Sequence, residues 1–276
     1  MVARLRQRGD GGGYRRGQNA SETSGNGELQ VADQGNQIPL PRPFDTSLGN
    51  NFTTSTCPTF FNDFLTNATF NECLPFSLLL QTSNSFFSTS RSFPRLTSTL
   101  DAACSVPYPK CAALMSSLAQ QIQSSSTCGP DLALENPMVT QAYNGFIAYA
   151  PLYQAGCLRD PTTQDYCFAS AVTNASAPTS SYIYYLALGV ALPGGTQPTC
   201  NSCLQRTMDV FSTYAANSSQ PLSEVYGTAA QQLDMTCGPT FVEANVVVAS
   251  GDGATLSRHA GVGMVVALVV GLWAGF

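Results

Sequence analysis

Between about residues 44 and 249, apolar residues recur three and four positions apart, with polar residues between them. That spacing places one side of each turn in a core and predicts amphipathic helices. Phe76, Leu79, Leu80, Phe86 and Phe87 follow Pro75, a residue suited to a helix start. Cys111, Leu114, Met115, Leu118 and Ile122 mark a second helix. Asn136-Pro137 opens a third, with Val139, Ala142, Tyr143, Phe146 and Ile147 on one face, and Pro151 is expected to break or kink it. Leu204, Met208, Phe211 and Ala215 mark a fourth helix, and Leu222, Val225, Tyr226, Ala229 and Leu233 a fifth. Two short stretches, 182–188 and 241–249, are rich in aromatic or β-branched residues and are expected to be strands. The chain therefore reads as mostly α, with at most minor β.

One pattern occurs twice. Ala119-Gln120-Gln121-Ile122 leads to Thr127-Cys128-Gly129-Pro130, and Ala230-Gln231-Gln232-Leu233 leads to Thr236-Cys237-Gly238-Pro239. Each follows a cysteine-bearing helix, from Cys111 and from Cys203. Glycine ends a helix and proline hinders its restart. Two duplicated helical units would produce this pattern, and so would two independent uses of a common helix stop.

Ten cysteines, at positions 57, 73, 104, 111, 128, 157, 167, 200, 203 and 237, all lie inside the helical region. An even number confined there predicts a disulfide framework made in an oxidising compartment. Spacing leaves the pairing open. Two local pairs, Cys57–Cys73 and Cys157–Cys167, would each close a short loop worth roughly 3 kcal/mol through the unfolded state. Cys200-Asn201-Ser202-Cys203 is the single CxxC, with no second pair at zinc spacing. The only histidine, His259, lies outside the region, so no Cys/His metal site is expected. The same compartment suits five Asn-x-Ser/Thr acceptors. Asn51, Asn67, Asn174 and Asn217 fall beside loops or helix ends, and Asn19 lies in the N-terminal segment.

Charge changes the picture at the two ends. Charged residues make up 11% of the chain, the net charge is -5, and Lys110 is the only lysine. Ordinary soluble domains carry about a quarter charged residues. Residues 44–250 hold four Arg and one Lys against twelve acids, which speaks against nucleic acid as a partner. Residues 1–43 hold six Arg against four acids, are rich in Gly, Gln and Asn, and read as a solvated, disordered tail. Residues 260–276 carry no charge. Upstream lie Ala249, Ser250, Gly251 and Asp252, then a short polar spacer to residue 259. A small-residue site, a spacer and an apolar tail together predict a glycosylphosphatidylinositol (GPI) anchor signal. Gly251 gives the best small triplet, and Ala249 gives the longer spacer. An anchored protein enters the secretory pathway, yet residues 1–30 have no apolar signal core. Either the start at Met1 is misplaced or the tail is retained as an anchor with the domain in the cytosol. The ten cysteines favour the first explanation.

No catalytic constellation is legible. Serine and cysteine triads need a histidine, which the helical region lacks. Asp160 and Asp165 flank the short stretch between Cys157 and Cys167, and paired carboxylates are what a glycosidase needs. The CxxC could instead be a redox pair at a helix start. The aromatics around 143–153 and 182–185 could line a sugar or lipid groove, or simply fill the core.

Several segments together resemble a family. They are Cys57-Pro58-Thr59-Phe60-Phe61, the run from Cys73 to Ser83, Gln141-Ala142-Tyr143-Asn144-Gly145-Phe146, the run from Leu188 to Gly195, and Cys200-Asn201-Ser202-Cys203-Leu204. Over about residues 50–241 the chain resembles uncharacterised, cysteine-rich surface proteins of filamentous ascomycete fungi that carry a domain of unknown function. The resemblance implies a signal peptide, which is not found here, and a GPI-type tail. It carries no activity and no cofactor. The expected protein is a non-enzymatic, GPI-anchored glycoprotein on the outer face of the plasma membrane or in the cell wall, meeting the membrane through its tail and wall glycans through its domain. The alternatives are a lipid- or sugar-binding module and a carbohydrate-active enzyme using two carboxylates.

Overall fold

A computed structural model describes residues 39–249. Asn19, the anchor-site residues Ser250, Gly251 and Asp252, His259 and the apolar tail lie outside the described residues. Twelve α-helices and one 3-10 helix form the described part, with no strand among the described residues. In chain order they are α1 (Thr56–Thr66), α2 (Ala68–Cys73), α3 (Phe76–Thr82), α4 (Asn84–Thr89), α5 (Phe93–Cys104), α6 (Tyr108–Gln121), α7 (Gly129–Ala133), α8 (Pro137–Ile147), α9 (Tyr149–Gly156) and α10 (Cys167–Thr173), then the 3-10 helix Pro178–Leu188, α11 (Ser202–Ala215) and α12 (Leu222–Cys237).

The apolar side chains collect into two clusters. The first joins Phe44 to α1, α2, α6 and α8, and six phenylalanines dominate it: Phe44, Phe60, Phe61, Phe64, Phe70 and Phe146. Phe64 alone meets Phe61, Phe70 and Phe146 at ring-centroid distances of 5.2, 5.0 and 5.3 Å. The second cluster joins α3, α5, α9, α10, the 3-10 helix, α11 and α12. Helix α3 serves both, because Leu78 packs into the first while Phe76 and Leu79 pack into the second.

Two glycines let the α8–α9 pair lie against α3. A Cβ on Gly145 would sit 2.3 Å from Leu78 Cδ2 and 2.9 Å from its Cγ, and a Cβ on Gly156 would meet the Phe76 ring at 2.8 Å. Gly145→Ala should therefore destabilise the protein. Overpacking costs about 1–3 kcal/mol, which outweighs the gain of up to about 1 kcal/mol in helix propensity. Gly227, within α12, has no atom within 4 Å of a Cβ. Gly227→Ala should raise the melting temperature where Gly145→Ala lowers it. A similar response from both would contradict the close approach.

Several predicted elements are altered by local chemistry. The stretch after Pro75 forms two helices, since Ser83 is extended (φ -123°, ψ 113°) and its hydroxyl caps α4 at Phe86 N. The break expected at Pro151 falls at Ala148, three residues earlier. Pro151 then occupies the first turn of α9, where the missing N–H leaves no bond unmade. The expected strand at 182–188 is instead part of the 3-10 helix, and 241–249 is irregular apart from an isolated bridge between Asn217 and Ala249. Neither stretch finds a neighbouring strand among the described residues, and a β-ladder requires one.

All ten cysteines are paired, as Cys57–Cys128, Cys73–Cys111, Cys104–Cys157, Cys167–Cys203 and Cys200–Cys237. The local pairs Cys57–Cys73 and Cys157–Cys167 are not made. Each bridge instead spans 36 to 71 residues and joins separate helices or their flanking turns. The two Cys-Gly-Pro segments also differ. Helix α12 runs to Cys237 and stops at Gly238, whose φ is 113°. Helix α6 stops at Gln121, seven residues before Cys128, and Pro130 lies in the first turn of α7 rather than preventing a helix. Five bridges mark the domain as one built for an extracellular or secreted setting. Among the described residues, no helix is long and apolar enough to cross a membrane.

Candidate functional site

Of the carboxylate pair anticipated in the 157–167 loop, Asp160 is used structurally, while Asp165 takes part through its backbone. Asp160 Oδ1 accepts from the backbone N–H groups of Thr162 and Thr163 at 2.8 and 3.1 Å, and the Asp160 N–H donates to the Asp165 carbonyl at 2.8 Å. Those two backbone bonds, aided by the Arg206 charge, hold its carboxyl below the usual range. Its Oδ2 lies 3.6 Å from Cys203 Sγ, a contact rather than a hydrogen bond, because a disulfide sulfur carries no proton. Arg159 and Tyr166, at the two ends of the loop, both meet Asp101 on α5, at 3.1 and 2.8 Å. Burial, then the hydrogen bond to Asp101, pushes the Tyr166 hydroxyl up to about 12. Cys200 and Cys203 bond to different partners, so the CxxC is not a closed redox pair. No group of three or more His, Cys, Asp or Glu among the described residues could hold a metal.

The four acceptor asparagines of the domain lie at the surface, in different settings. Asn51 and Asn217 are exposed in loops. Asn67 caps α2 through its Oδ1, which accepts from Phe70 N. Asn174 is half-buried, and its Nδ2 donates to Thr199 Oγ1 at 2.9 Å. Ala249 is exposed, and its N–H donates to the Ala216 carbonyl at 2.7 Å.

The aromatic stretches divide between core and surface. Tyr149 is buried beside Tyr108 and Tyr153. In the 182–185 stretch the 3-10 geometry decides the outcome. With three residues per turn, positions three apart eclipse one another. Tyr182 and Tyr185 therefore share one outward row, while Ile183, Leu186, Tyr184 and Ala187 occupy the two buried rows.

Tyr182 and Tyr185 form one wall of an open groove of about 690 Å³. Its floor is Leu80, Phe86, Phe168 and Val172, from α3, α4 and α10. The opposite wall is Phe87, Ser90 and Arg91, and the irregular segment after the 3-10 helix closes one side with Val190, Ala191 and Pro193. The lining is predominantly apolar, and its volume falls within the range of about 300–1,000 Å³ usual for small-molecule sites. Phe87, Tyr182 and Val190 are 61%, 43% and 41% exposed, unusual values for large apolar side chains gathered on one face. Arg91 is the one charged residue of the lining, and its guanidinium lies 4.5 Å from the Phe87 ring centroid. The Tyr185 hydroxyl donates to the Leu80 carbonyl at 3.3 Å, which ties that wall to the floor.

The α4 wall is held from its N-terminal end by Asp45. This carboxylate accepts from the N–H groups of Asn84 and Ser85, both at 2.8 Å, from the Ser83 hydroxyl at 3.0 Å, and from the Ser85 hydroxyl in a shorter contact. Partial burial pushes its proton affinity up, but the Ser85, Asn84 and Ser83 donors together outweigh that and leave it below its ordinary value of 3.8. A lowered folded value means that the stabilisation is present above 3.8 and disappears as pH falls through the folded value. Asp45→Asn should cost about 1 kcal/mol at pH 7, the scale of a lost cap. The difference in melting temperature from the parent should shrink as pH drops from 5 toward 2. A difference independent of pH would show that the charge plays no part.

A second, shallower depression of about 460 Å³ lies between the Gly194–Gln197 segment and α12, lined by Thr228, Gln231, Gln232, Met235 and Thr236. Its amides and hydroxyls suit hydrogen bonding, but it presents no aromatic face on which a sugar ring could stack.

These features define a class: an all-helical, disulfide-stapled domain with one open apolar groove and no metal cluster among its described residues. The family model described as a domain of unknown function (DUF7729) matches residues 39–246, and the chain belongs to that family. No curated protein and no solved structure matches the chain. Two of the segments that carry the family resemblance supply groove residues: Leu80 from the 73–83 run, and Val190, Ala191 and Pro193 from the 188–195 run. Arg91, Phe168 and Val172 stand outside those segments. Phe168 and Val172 come from α10 and Arg91 from the turn after α4, so no local pattern in the sequence brings them together.

Proposed function

We propose that this protein is a non-enzymatic surface glycoprotein, held by a GPI anchor at the outer face of the plasma membrane or in the cell wall, whose domain binds a lipid-like ligand. The observation that carries the binding reading is the apolar groove between the α4 segment and the 3-10 helix. The oxidised framework suits the exterior, and the surface position of Asn51, Asn67 and Asn217 suits glycosylation. The small residues from Ala249 to Asp252, followed by the 260–276 apolar tail, support the anchor. A carbohydrate-active enzyme draws less support, since Asp160 is committed to its own loop.

Full-length protein immobilised on beads should bind Nile red saturably, and Tyr182→Glu combined with Val190→Glu should abolish that binding without lowering the melting temperature. Undiminished binding by the double variant would overturn the groove as the site. Separately, phosphatidylinositol-specific phospholipase C should release the protein from intact cells, and full retention after treatment would overturn the anchor.

A further inference from the structure

We propose that the groove selects a single-chain anionic amphiphile of the long-chain carboxylic acid class, with Arg91 receiving the carboxylate. This rests on the groove being a ligand site and adds the chemical class of the ligand.

The argument starts from charge. Residues 44–250 hold twelve acids and five basic residues, so most basic side chains should find an acidic neighbour. Lys110 pairs with Glu72 and Arg159 pairs with Asp101. Arg206 donates to the Arg159 carbonyl at 2.7 Å. Arg91 and Arg95 have neither an ion pair nor a side-chain hydrogen bond among the described residues, but of the two only Arg91 lines the groove, and no acid lines the groove with it. Asp45, the carboxylate that touches the preceding helix α4, is held at the far end of that helix by Ser83, Asn84 and Ser85. The Phe87 ring beneath the guanidinium restrains it over the rim through a cation–π contact. That leaves its planar fork of donors unused beside an apolar trough. A guanidinium in this state matches a carboxylate bidentately. The floor of Leu80, Phe86, Phe168 and Val172 offers an alkyl chain an environment with no polar group to leave unsatisfied. A neutral lipid would fill the trough but leave the cation without a counter-charge. An anionic amphiphile satisfies both parts at once.

The test is competition against Nile red on the full-length chain, using palmitate and hexadecanol, which share the alkyl chain and differ in the head group. Palmitate should compete about tenfold or more better than hexadecanol, the size of one charge-assisted hydrogen bond. Arg91→Gln should bring palmitate down to the level of hexadecanol while leaving hexadecanol unchanged. Arg91→Lys should retain part of the preference. Equal competition by the two ligands on the parent protein, or an acid preference that survives Arg91→Gln, overturns the head-group assignment while the groove stands. Failure of both ligands to compete overturns the groove reading itself. Arg91 is exposed, and an unchanged melting temperature confirms that the variant is folded.

Discussion

Replacing Cys57 and Cys128 together by alanine should lower the stability of the oxidised protein by about 4 kcal/mol, more than the loss of any bridge near the surface. The bridge closes a sequence separation of 71 residues, the longest of the five, and loop-closure entropy alone predicts about 4 kcal/mol for such a loop. Both cysteines are fully buried, and both belong to the phenylalanine-rich first cluster. Removing the sulfurs therefore also leaves unfilled space against Phe61 and its neighbours, and close-packed interiors refill such space only partially. The comparison is the Cys200→Ala, Cys237→Ala double variant. That bridge spans 37 residues, with Cys200 exposed and Cys237 half-buried, so its loss should cost less. Denaturant unfolding of the two double variants checks the order. An equal or reversed order would mean that burial of the first bridge contributes nothing. Cys200–Cys237 should also be the first bridge opened by a dithiol reductant, because exchange requires access to a sulfur.

Phe168→Ala should cost about 3–5 kcal/mol, the range for truncating a buried aromatic. Phe168 is 1% exposed and forms part of the groove floor. Its ring meets Phe76 and Tyr184 edge-on, each at 4.7 Å, and stacks on Phe86 at 6.3 Å. It therefore links α3, α4, α10 and the 3-10 helix, the elements that form the floor and the two walls. Its loss removes aromatic pairing as well as buried area. The control is Phe87→Ala on the rim. That side chain is largely exposed, so its loss should change stability by no more than about 0.5 kcal/mol while weakening Nile red binding. Thermal unfolding separates the two variants. A Phe168→Ala melting temperature close to that of Phe87→Ala would show that the floor is not part of the core.

Helix and oxidation were legible residue by residue. Cys57, Phe60, Phe61 and Phe64 repeat at the α-helical interval and form the buried face of α1. Leu96, Thr99, Leu100 and Ala103 do the same for α5. The signal for both helices is present in the sequence, although neither stands among the five helices predicted above. The count and placement of the cysteines anticipated a fully paired set. The 182–188 stretch shows where local preference fails. Its aromatic and β-branched residues favour a strand, but with no neighbouring strand the segment closes its own hydrogen bonds and packs as a 3-10 helix against α10 and α12.

What the sequence by itself determined is therefore the class of structure and its chemical setting: amphipathic helices and ten cysteines within the helical region, an even set suited to an oxidising compartment. The tertiary structure alone decided the partners of the cysteines, the division into two clusters sharing α3, and the groove. The reason is physical. Helical periodicity and composition are properties of neighbours along the chain, whereas a bridge over 71 residues depends on how helices pack. The groove likewise depends on how α3, α4, α10 and the 3-10 helix meet, as does the presence of Arg91 in its lining without an ion pair among the described residues.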